Sequence, residues 1–70
     1  MTKEQAQGLS IGCRVQWGDN PADAGTVVEK GYCAAKVEFD TISDDGTEYG
    51  TIMFGNNAEL VFLKDWKKLD

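Results

Sequence analysis

Short apolar runs fenced by glycine constrain this chain more than any other feature. They are Gly12-Cys13-Arg14-Val15-Gln16-Trp17, then Gly25-Thr26-Val27-Val28, then Val37-Glu38-Phe39-Asp40. Runs of this kind, rich in β-branched and aromatic residues and bounded by Gly, Pro, Asn and Asp, form strands. Alternation puts Ile11, Cys13, Val15 and Trp17 on one face of the first strand and Arg14 and Gln16 on the other. Ala35, Val37 and Phe39 alternate in the same way with Lys36, Glu38 and Asp40. The pattern predicts an all-β chain with strands near 11–17, 24–31, 34–41, 49–54 and 60–64, arranged as a small five-stranded barrel.

The punctuation between strands is equally specific. Gly18-Asp19-Asn20-Pro21-Ala22-Asp23 holds the only proline and is the clearest loop, since Asx side chains bond the backbone locally. Gly31 suggests a hairpin turn, and Ser43-Asp44-Asp45-Gly46 a second one, Asp-Gly being suited to positive φ. Adjacent Val27 and Val28 mean that one of them points away from the interior unless the strand coils around the barrel. Inward positions are Ile52 and Phe54, with Met53 outward, and Val15, Val27, Val37, Phe39, Ile52 and Leu60 are the expected core. Gly55 to Leu60 reads as a short helical turn before the last strand. Thr2 to Gln7 are helix-permissive and Gly8 suits the end of one turn, but so short a helix is marginal without tertiary support, so residues 1–8 read as a flexible arm, 9–64 as the barrel and 65–70 as a C-terminal tail.

At 70 residues the chain is one domain, near the lower limit for burying a self-sufficient core. Its formal charge is −5 and unevenly spread: nine acidic residues lie from Asp19 to Glu59 against only Lys30 and Lys36. Lys64, Lys67 and Lys68 gather at the C-terminal end. Phosphate binding rests on Lys and Arg displacing counterions, so nucleic-acid binding is disfavoured. No apolar run is long enough to span a bilayer, and the polar start lacks a secretory stretch, so a cytoplasmic, membrane-free protein is expected.

Catalytic and metal chemistry find little to build on. There is no histidine, and Cys13 and Cys33 are too few for a structural zinc site; free thiols are expected. With Gly46 as sixth residue of a calcium loop, the first, third and twelfth would be Thr41, Ser43 and Ile52, which lack the bidentate acid. No phosphate-binding glycine loop is present, and neither a cofactor nor enzymatic activity is expected. Asp19, Asp23, Asp40, Asp44, Asp45 and Glu48 form the candidate acidic surface. Met53, Phe62 and Trp66 are the candidate partner-binding residues, because apolar side chains beside a strand edge mark association.

Five short strands with a long first loop, a hairpin, an Asp-Gly turn and a helical turn before the last strand resemble the SH3-like small barrels, over about Leu9 to Leu63. Gly12-Cys13-Arg14-Val15 followed by Gly25-Thr26-Val27 is similar to the KOW-type opening. Gly25 to Val28, Val37-Glu38-Phe39, Asn56-Asn57 and Glu59-Leu60-Val61 resemble the small barrel protein of photosystem I, which docks an acidic electron carrier through basic residues, whereas this chain is acidic on the corresponding strands. Gly50-Thr51-Ile52 with Ala58 and Leu60 is similar to type II dihydrofolate reductases, but Ile52-Met53-Phe54-Gly55 lacks the polar residues that bind their ligands. The Tudor group implies an aromatic cage, for which Trp17, Phe39 and Tyr49 with Asp19 or Asp40 supply the residue types.

The resulting expectation is a non-enzymatic protein-interaction module or accessory subunit that self-associates or joins a larger complex. Two alternatives stand beside it. One is an acidic inhibitor or nucleic-acid mimic of a phage or mobile element, and the other a ligand-binding or catalytic oligomer whose pocket forms between subunits.

Overall fold

The computed structural model describes residues 1–55 and 63–69. Five strands, β1 (Arg14–Trp17), β2 (Ala24–Lys30), β3 (Ala34–Ser43), β4 (Gly46–Met53) and β5 (Trp66–Lys68), form one antiparallel sheet in the order β4-β3-β2-β1-β5. The chain meanders through β1 to β4 and then returns to lay β5 on the free side of β1. This is an all-β fold compatible with an SH3-like barrel. Among the described residues β4 and β5 remain the two edges, so the sheet is not closed by hydrogen bonds.

Alternation sets what is inside. Val15 faces Gly25, Val27 faces Val37, and Ala35 faces Ile52 in register, and all the non-glycine members of these pairs are buried. Phe54, Leu63 and Trp66 complete the core with Ala6 and Leu9. Phe39, expected inside, is only partly buried against it. Leu60 lies outside the described residues. The register of β2 shifts between Val27 and Glu29, which leaves Val27 fully buried and Val28 half-exposed. A bulge thus resolves the adjacent valines, bending the strand as it redirects the second side chain.

Four expectations are corrected. The one-sided row from Ile11 to Trp17 is buried throughout only at Val15: Gly12 adopts φ +99°, turning the chain before β1 begins, and Ile11 is exposed. The β3–β4 hairpin is longer than 34–41 and 49–54, because Gly46 at φ +113° makes the Asp44-Asp45 turn tight enough for pairing to start at Ser43↔Gly46. Leu63 and Lys64, expected in the last strand, lie in no strand; Leu63 is buried, and β5 begins at Trp66, in the stretch read as a tail. Residues 60–62, like the helical turn expected up to Leu60 from Asn56 onward, lie outside the described residues. The fourth concerns the segment read as an arm, which contains helix α1 (Lys3–Gln7), closed by a reciprocal Thr2–Gln5 capping box. So short a helix is unstable alone; burial of Ala6 and Leu9 holds it, and the Met1 ammonium donates to the Leu63 carbonyl at 2.7 Å.

Candidate functional site

The open side of the sheet is bridged by side chains rather than backbone. Gly50 on β4 faces inward opposite Val37, and a Cβ there would lie 2.7 Å from Phe39 Cε2 and 3.5 Å from Trp66 Cη2. The missing side chain is what lets the Phe39 ring lie across β4 and lets Trp66, from the other edge, reach it. Trp66 stacks on Phe39 with centroids 6.0 Å apart and planes 16° from parallel. Trp17, directly opposite Trp66 in the β1–β5 register, meets it edge-on at 5.1 Å and 69°. Such offset and edge contacts add to the burial of the rings.

These three rings, with Thr51 and Met53 of β4, line an open apolar trough of about 360 Å³. Its floor and rim differ in accessibility. Trp66 is 5% exposed and belongs to the core, whereas Trp17 is 37% and Met53 44% exposed. The β1 end is anchored by the Gly18 amide donating to the Asp65 carbonyl at 2.7 Å and by the Asp19–Lys67 ion pair.

Of the residues singled out in sequence, Met53 and Trp66 come together here, and Phe62 lies outside the described residues. Trp66 takes the folded-back position of a core residue. Trp17 and Phe39 join as an aromatic cage requires, but Tyr49 does not: its ring carries the Lys36 ammonium 4.4 Å from the centroid, away from the trough. Trp66 takes its place, and no sequence signal announces this because the contact depends on β5 pairing with β1.

The six acidic residues have unlike surroundings. Asp40 receives two bonds from the Arg14 guanidinium, which also donates to Thr26 Oγ1 at 2.7 Å; the hydrogen bond from Arg14 holds the Asp40 carboxyl below the usual carboxylate range. The hydrogen bond from Lys67 does the same to Asp19. Asp44 and Asp45 occupy the hairpin tip, exposed. Asp23 and Glu48 instead line a smaller cavity of about 200 Å³ with Trp17, Phe39, Ala22 and Thr41.

Cys13 and Cys33 are both free, and the Ser10 amide donates to Cys13 Sγ at 3.3 Å. Among the described residues no group of three or more Cys, Asp or Glu side chains is placed to hold a metal ion, and no helix is long and apolar enough to cross a membrane. No protein-family model, no curated protein and no solved structure matches the chain.

Proposed function

We propose that this chain is a non-enzymatic protein-binding module of SH3-like barrel build, and that a segment of its partner docks in the trough walled by Trp17, Phe39, Met53 and Trp66. The observation that carries the reading is the combination of a packed aromatic floor with an accessible rim. Trp66 and Phe39 are fixed by packing over Gly50, while Trp17 and Met53 offer apolar surface to solvent. Aromatic anchors held in a preformed concavity lose little entropy on binding and dominate interface energetics.

The test is to pan a random peptide library displayed on phage against the wild-type protein and retest each recovered sequence on Trp17→Ala and Met53→Glu. Binding is expected to weaken at least about tenfold in both variants, with unchanged far-UV circular dichroism. Failure to recover any sequence, or recovery only of sequences indifferent to both substitutions, overturns the reading.

A further inference from the structure

The trough continues past its apolar walls. Trp17 and Phe39 are shared with the smaller cavity that Asp23, Thr41 and Glu48 complete, so two aromatic rings lead from an uncharged compartment to a pair of carboxylates. We infer that the docked segment presents a basic side chain, lysine or arginine, whose aliphatic stem lies along Trp17 and Phe39 and whose charged end sits beside Asp23 and Glu48. This rests on the trough being the docking site.

Charge complementarity selects this occupant. Among the described residues Asp19 and Asp40 are tied to Lys67 and Arg14, but no cation pairs with Asp23 or Glu48. A neutral segment covering the cavity would strip water from two carboxylates and return nothing, and an acidic one would be repelled. A cation satisfies both carboxylates and also gains from the faces of the rings it crosses, while its methylene stem suits apolar walls. The molecule's charge of −5 attracts such a segment from a distance.

Both carboxylates are held by backbone geometry. Asp23 ends a 3-10 turn (Pro21–Asp23) in which Asn20 Oδ1 accepts from the Ala22 amide at 3.0 Å and the Asn20 carbonyl from the Asp23 amide at 2.9 Å. Thr41 Oγ1 donates to the Ala22 carbonyl at 2.9 Å and so pins that turn to β3. Glu48 stands on β4 two residues before Gly50, continuing the inward row of Gly50 and Ile52 beyond the end of the core.

The same random peptide library decides the matter. Sequences that depend on Trp17 are expected to share a lysine or arginine, and norleucine at that position, which keeps the stem without the charge, should lower affinity at least about tenfold. The double variant Asp23→Asn, Glu48→Gln should remove most of that difference and the salt dependence of binding, with the denaturation midpoint near wild type. Trp17-dependent sequences that lack a common basic residue, or that bind equally well with norleucine, overturn the inference and leave the trough reading intact. If no Trp17-dependent sequence is recovered, the trough reading fails and this inference falls with it.

Discussion

Single positions carry unusual weight in a chain this small. Among the described residues Phe54 is the largest fully buried side chain, and Phe54→Ala removes its transfer energy and leaves a cavity, a cost of roughly 3 to 5 kcal/mol. Because a small domain holds only several kcal/mol in total, the variant should be largely unfolded in buffer, as near-UV circular dichroism would register. Gly50→Ala is a finer test, because its methyl group meets Phe39 Cε2 at 2.7 Å; the ring must shift, at a cost of about 1 to 3 kcal/mol. A midpoint identical to wild type in urea would refute the account of why the rings stack there. For Asp40 the folded pKa lies below its unfolded value, so its tie to Arg14 stabilises the fold above the unfolded pKa and is lost as pH falls through the folded one. Arg14→Gln should return the Asp40 titration, followed by carbon-detected NMR, to the ordinary carboxylate range.

Strands and turns differ in how openly the sequence declares them. β3 was legible because Ala35 and Val37 alternate with polar residues on a strand paired on both sides, and β2 was legible from its valines and bounding residues although its alternation breaks at the bulge. The Asp-Gly turn was legible in kind, yet not how far pairing would run back from it, since Thr41, Ile42 and Thr47 carry no inward alternation. β5 was illegible: three residues, two of them lysine, bury only Trp66, and lysine on an edge strand guards against unwanted pairing. For α1 the helix-permissive run was legible, but not the tertiary support, because its capping box is joined by burial of Ala6 and Leu9 in the core. Half of the trough was readable as outward Met53 and inward Phe39, but its aromatic cluster depends on the β1–β5 register. The hairpin itself is testable: Gly46 sits at φ +113°, so Gly46→Ala should cost about 1 kcal/mol or more, lowering the thermal midpoint without altering strand content.

At the scale of the molecule, the register shifts twice, between Val27 and Glu29 and between Glu38 and Ile42, and among the described residues the two edges meet through Trp66 instead of a hydrogen-bonded ladder. One edge, β4, presents Tyr49-Gly50-Thr51-Ile52-Met53 without a charge, the kind of border that accepts another strand. Two copies related by a two-fold axis would satisfy it, and the expected outcome is a sedimentation coefficient that rises with concentration in wild type and not in Thr51→Lys. A single small species at high micromolar concentration would exclude the pairing. The position of the indoles has a separate, spectroscopic consequence. The chain has two tryptophans, and both border the trough, one sheltered and one at the water's edge. Tryptophan emission, excited selectively over the two tyrosines, therefore originates wholly at the place where a partner would arrive: Trp66 reports whether the chain is folded, Trp17 whether the trough is covered. Replacing Trp17 with phenylalanine separates the two signals, so occupancy can be followed by light from the unlabelled protein.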